Sequence, residues 1–168
     1  FDLSNSGTGT EKGRLRIEMD PAANYPFIVT IESSSATATQ TVGQSTIGAA
    51  SGVPSNGWHH YAFSFLSNSS GTLLNFFYDG NLTEQHQIGT GFARVTGSGA
   101  SNGLKSSIGA LVGAVAGFSG TTKGYGQFSG SIDEFRYWKY ERPADLIKLN
   151  YFKGVDGGTN TDDDSYQL

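Results

Sequence analysis

The stretch Phe128 to Asn150, FSGSIDEFRYWKYERPADLIKLN, constrains the fold of this chain most. It reads as a turn, then an alternating strand over Ile132–Trp138, then a short helix opened by Arg142-Pro143-Ala144-Asp145. Pro143 suits the first helical turn, where its missing N–H costs nothing. Leu146, Ile147 and Leu149 would pack that helix on the edge of whatever the strands build. Upstream, Trp58–Phe65 and Leu73–Tyr78 are aromatic-rich strand patterns. Asp79-Gly80 signals a tight hairpin leading into a further strand at Leu82–Ile88.

The remaining segments follow the same logic. Arg14–Met19 and Phe27–Glu32 alternate polar and apolar residues around the turn Asp20–Pro26. Ser33–Asn56 reads as a weak strand with a long loop. Ser67–Gly71 is a turn and Ser106–Val112 a strand, with Gly/Ser-rich loops at Thr90–Gly103 and Phe118–Gly126. Strands of this length between turns, with no helical period before the end, predict an all-β chain folded as an antiparallel β-sandwich with one short C-terminal helix.

Composition excludes several classes. The 168 residues suffice for one domain with a real core. The net charge of −4 and the lack of any basic run argue against nucleic acid as a partner. With no cysteine there is no disulfide, thiolate metal site or Cys nucleophile. No stretch reaches the ~20 apolar residues of a membrane span, so membrane insertion is not expected. Ile108–Phe118 is apolar but too short. The polar tail, residues 154–168, reads as a linker or the start of a following module, which leaves 1–153 as the domain.

Four motifs in order carry a resemblance. They are Gly57-Trp58-His59-His60, Leu74–Gly80, Ile108-Gly109 and Phe128–Trp138. Together they resemble the concanavalin A-like lectin/glucanase jelly roll, in its laminin-G-like and pentraxin-like branch. The resemblance implies a jelly-roll sandwich whose N-terminal strands lie upstream of Phe1 or come from a neighbouring part of the same protein. It also implies that Trp58 and Trp138 belong to the core. The tail is similar to linkers between lectin-like modules in large virion proteins of tailed phages.

The candidate sites are few, and each has two readings. Asp133 and Glu134, adjacent on a strand, point to opposite faces and cannot act together on one bond. One of them accepts hydrogen bonds from a turn or from Arg136, or else Asp133 is a Ca²⁺ ligand at the rim. Asp79 serves a type I′ hairpin, or is a rim carboxylate and candidate metal ligand. His59 and His60 face opposite sides of their strand, with Trp58, Ala62 and Ser64 on the side of His60. His86 is remote from both, so a zinc site is not expected and the histidines read as structural. Exposed aromatics that could stack on a sugar ring are Tyr125, Tyr140 and Phe92. Asn68-Ser69-Ser70 and Asn81-Leu82-Thr83 match the glycosylation sequon, a triplet common by chance in such a chain.

An enzyme is not expected. Glu18 and Asp20 lack the third acid of the glucanase strand in the family that this chain resembles. Gly7–Gly13 is no phosphate loop, because no Ser or Thr follows Lys12. The expectation is a non-catalytic carbohydrate-binding or adhesion module, extracellular or on a virion surface. Its partners would be a glycan or cell-surface polysaccharide and the neighbouring domains of a larger assembly. The competing expectation is a structural or decoration domain of a phage virion, held by protein–protein contacts alone.

Overall fold

The computed structural model of the chain describes residues 1–5, 13–19, 27–34, 40–48, 57–89, 104–110, 130–138 and 140–154. Eight strands and one helix stand out among them: β1 (Asp2–Asn5), β2 (Gly13–Met19), β3 (Phe27–Ser34), β4 (Gln40–Ile47), β5 (Tyr61–Asn68), β6 (Gly71–Tyr78), β7 (Asn81–Ile88), β8 (Leu104–Ser107) and α1 (Ala144–Asn150). They form two antiparallel sheets, one ordered β4-β3-β2-β1-β8 and the other β5-β6-β7. This is the all-β sandwich with a short helix that the strand patterns implied.

Period-two alternation decides what each sheet buries. In the larger sheet Leu3 faces Leu15 and Leu15 faces Ile31 across the ladder, and all three point inward. In the smaller sheet Phe63 pairs with Phe76 and Phe65 with Leu74, on the face turned toward the larger sheet. Phe27 of β3 inserts between the sheets. Its ring centroid lies 5.1 Å from both Tyr61 and Phe63 and 5.6 Å from Phe76. The contacts to Tyr61 and Phe63 are edge-to-face, the arrangement aromatic quadrupoles favour. Leu3, Val29, Ile31, Ile47, Leu74 and Ile88 complete the core. One margin of the sandwich closes between β4 and β7, where Ser45 Oγ lies 2.6 Å from His86 Nδ1 and the Gly48 N–H donates to Glu84 at 3.0 Å.

The opposite face of the larger sheet carries Asp2, Ser4, Arg14, Arg16, Thr30 and Glu32, and these too are buried. Charge at such depth needs partners. Arg14 meets Asp2 through two bonds of 2.9 and 2.6 Å. Arg16 reaches Glu32 at 3.3 Å and Glu18 at 3.8 Å. Burial raises the Glu32 carboxyl, against the pull of Arg16 and Arg14.

Four expectations need correction. The strand expected at Trp58–Phe65 begins only at Tyr61. The backbone of His60 is already committed to the next hairpin: its carbonyl accepts the Asp79 N–H at 2.9 Å and its N–H donates to the Asp79 carboxylate at 2.8 Å. The strand expected at Ile132–Trp138 does not form. Glu134 sits at φ 53°, in the left-handed region, which interrupts an extended run. The Asp133 carboxylate accepts the Glu134 N–H at 2.8 Å and fixes that bend. Trp58 is not core; it is 71% exposed. Trp138 is half-buried, with the Arg142 guanidinium 4.3 Å above its ring. In the other direction, the weak signal in Ser33–Asn56 resolves into a full edge strand, β4. Asp2–Asn5, for which the sequence offered no element, supplies β1 between β2 and β8.

Because Phe27 bridges both sheets, Phe27→Ala is expected to cost about 3–5 kcal/mol in urea unfolding. Met19→Ala on the same face, at an exposed position, is expected to cost far less.

Candidate functional site

Two regions gather polar side chains outside the core. The first surrounds the β6–β7 hairpin. Asp79 and Gly80 hold φ values of 46° and 77°, the left-handed pair that a two-residue type I′ turn requires. The Asp79 carboxylate is engaged by protein on both oxygens. Oδ1 accepts the His60 N–H and Oδ2 lies 3.0 Å from His59 Nδ1. Tyr78 Oη approaches the same His59 nitrogen at 2.7 Å. Burial alone would raise the Asp79 carboxyl, but the His60 N–H and then the His59 ring outweigh it and hold it below its ordinary value. Burial, then the positive charge of Arg136, lowers His60 below its ordinary value. His60 Nδ1 is buried without a hydrogen-bond partner among the described residues, which fits a neutral ring.

The residues after α1 close over this hairpin. The Tyr151 ring lies 5.9 Å from the His60 ring, and a Cβ at Gly80 would run into it. Glycine is needed there twice, for its backbone and for this close approach. Arg136 binds from the side, donating to the carbonyls of Asn150, at 3.3 Å, and Lys153, and pairing with Glu134 at 3.6 Å.

The second region is the outer face of β5-β6-β7. Ser64, Asn75 and Gln85 lie in one cross-strand row. Gln85 Nε2 donates to Asn75 Oδ1 at 2.8 Å, and Asn75 Nδ2 donates to Ser64 Oγ at 2.9 Å. The Glu141 carboxylate approaches the end of the row, 3.5 Å from Ser64 and 3.4 Å from Asn75. The preceding residue, Tyr140, is 74% exposed. At the margin of the same face Asn68 and Gln87 exchange amide bonds of 3.0 and 3.3 Å. Each amide is thus oriented by a neighbour; Ser64 and Asn75 are buried, and Gln85 and Glu141 are the exposed members of the row.

The sequence-derived candidates divide accordingly. Asp79 lies in the hairpin, and the bond between Asp133 and the Glu134 N–H places Asp133 in the bend before Arg136. Among the described residues no three of His, Asp and Glu gather into a group that could hold a metal ion. With both Asp79 oxygens engaged by protein, the described residues do not fit the six to eight oxygen ligands that Ca²⁺ takes. Tyr140 is exposed and next in the chain to Glu141, while Tyr125 and Phe92 lie outside the described residues, as do residues 155–168 of the tail. The three histidines sit in structural contacts: His59 on Asp79, His60 beneath Tyr151, His86 on Ser45. Sequence reading missed the row formed by Ser64, Asn75, Gln85 and Glu141. Alternation placed Ser64 on the face away from Phe63 and Phe65, but no sequence rule brings Glu141 there.

No family model matches the chain, and no curated protein matches it. Among solved structures it is similar to the crystal structure of an S-layer domain-containing protein (residues 221-444) from Clostridium thermocellum, at 22% identity and a TM-score of 0.42. The match covers 89% of this chain and 60% of that one.

His60 gives a pH test. Its ordinary value is 6.5 and its folded value is lower, so the unfolded chain binds the proton first. Stability therefore rises with pH across that window and is lost as pH falls through it. Urea midpoints between pH 8 and pH 5 are expected to fall in the wild type and to fall less in His60→Gln. The difference between the two isolates His60 from Glu32, whose raised value acts in the opposite sense.

Proposed function

We propose that this chain is a non-catalytic recognition module of the concanavalin A-like kind, carried on an extracellular or virion surface, and that it binds glycan on the outer face of β5-β7. One observation supports the reading above the others: a pre-ordered row of hydroxyl, amide and carboxylate groups stands next in the chain to an exposed tyrosine. A pyranose offers alternating hydroxyl edges and C–H faces. Gln85 and Glu141, the exposed members of the row, suit the edges, with buried Ser64 and Asn75 holding them in place, and the Tyr140 ring suits a C–H face. Because those amides are already oriented, little rotamer freedom is lost on binding.

A second reading has its own observation. Ile108, Ile132, Phe135 and Tyr137 are all about half exposed. Phe135 and Tyr137 stand 5.5 and 6.5 Å from the Phe1 ring, and Ile132 stands beside Gly109. Such a gathering of apolar side chains suits a protein–protein contact and supports a structural domain of a larger assembly.

A glycan array run with the folded chain, with calcium and with chelator, tests the first reading. Binding that survives chelation and weakens about tenfold in Tyr140→Ala, roughly 1.4 kcal/mol, is the expected result. Glu141→Ala is expected to weaken it further. Binding that vanishes with chelator would return attention to the rim carboxylates. Absence of binding by a folded chain would sink the glycan reading for the sugars tested and favour the structural domain.

A further inference from the structure

We propose that residues 144–154 form a strap that leaves and rejoins the sandwich as one unit, with the Arg136 guanidinium as its latch. The helix at its start is only seven residues long and buries no residue completely. Isolated helices shorter than about 12–15 residues are marginal in water, so α1 persists because it is docked. Its internal fastenings are local: the Ile147 N–H donates to the Pro143 carbonyl at 3.1 Å, and Asn150 Nδ2 donates to the Leu146 carbonyl at 2.9 Å.

Among the described residues, three contacts attach the strap to the rest of the molecule. α1 lies against β7, and its Leu146 and Ile147 side chains are half-buried. Tyr151 lies over Gly80 and against His60. Arg136 donates from one nitrogen to the Asn150 carbonyl and from the other to the Lys153 carbonyl. The last carbonyls of a helix have no intrahelical partner and carry its negative pole, so a guanidinium is a well-matched cap. One side chain thus gathers the end of α1 and the turn beyond it.

Arg136 itself lies in residues 130–138, outside both sheets. Opening the latch breaks no ladder hydrogen bond and removes nothing from the core around Phe27. Elements of this kind, with few buried apolar contacts and an exposed backbone, open locally at far lower free energy than the global transition. The open state uncovers Gly80 and the His60 ring.

Amide hydrogen exchange on the full chain, at several sub-denaturing urea concentrations, tests this. In the wild type the amides of Ile147 to Asn150 and of Lys153 are expected to exchange together. They should be faster than those of Leu74 to Phe77 and nearly independent of urea. Arg136→Gln is expected to speed strap exchange by at least about tenfold, because charge-assisted bonds are lost, while the Leu74 to Phe77 amides stay protected. Tyr151→Ala provides a second variant at a partly exposed position and is expected to speed the same amides. Strap amides that exchange only in step with β6, or rates unchanged in both variants, would overturn the proposal.

Discussion

The insertion of Phe27 between the two sheets is the contact on which the rest of the structure depends. It is contributed by the first residue of β3 and touches rings from both β5 and β6. A three-stranded sheet alone has one apolar face and nothing to bury it against. The Phe27 ring ties that face to the larger sheet, and the aliphatic residues around it exclude water on both sides. The hairpins at both ends of β6 take their positions from this seam.

The outer faces of the two sheets differ in charge. On the larger sheet, Asp2, Arg14, Arg16 and Glu32 are buried and interlocked by charge. Pairing of that depth is demanding, since removing one partner strands the other without water. On the smaller sheet the polar groups of the row are neutral amides and a hydroxyl, joined by the carboxylate of Glu141. Ser64 and Asn75 are buried there too, but Gln85 and Glu141 at the ends of the row are exposed, and neutral groups satisfied by one another can still exchange partners with a ligand. That difference in electrostatic cost is why the smaller sheet presents the better candidate site.

The β6–β7 hairpin links both themes. Asp79 sets the turn through its backbone, and its carboxylate holds the chain before β5 through His60 and His59. Gly80 leaves room for Tyr151, and Tyr151 brings the C-terminal strap over the same turn. A residue that reads from sequence as a simple turn former therefore also joins three separate segments.

The sequence by itself determined the class of fold, the strands with clean alternation and the hairpin at Asp79-Gly80. These depend on period-two patterning and on which residues tolerate positive φ, both local properties. It also marked the helix after Pro143 and the absence of histidine spacing for zinc. What only tertiary structure decided is non-local. The alternation in Ile132–Trp138 promised a strand, yet a strand needs a ladder partner, and the left-handed Glu134 interrupts the run. Trp58 looked like core by its chemistry, but the strand begins after it and leaves it outside. Glu141 meets Ser64 and Asn75 across 77 and 66 residues of chain, and Arg136 finds the end of α1 only once the sandwich has brought them together. Local rules place a residue on a face; only the packing of one element on another decides what that face meets.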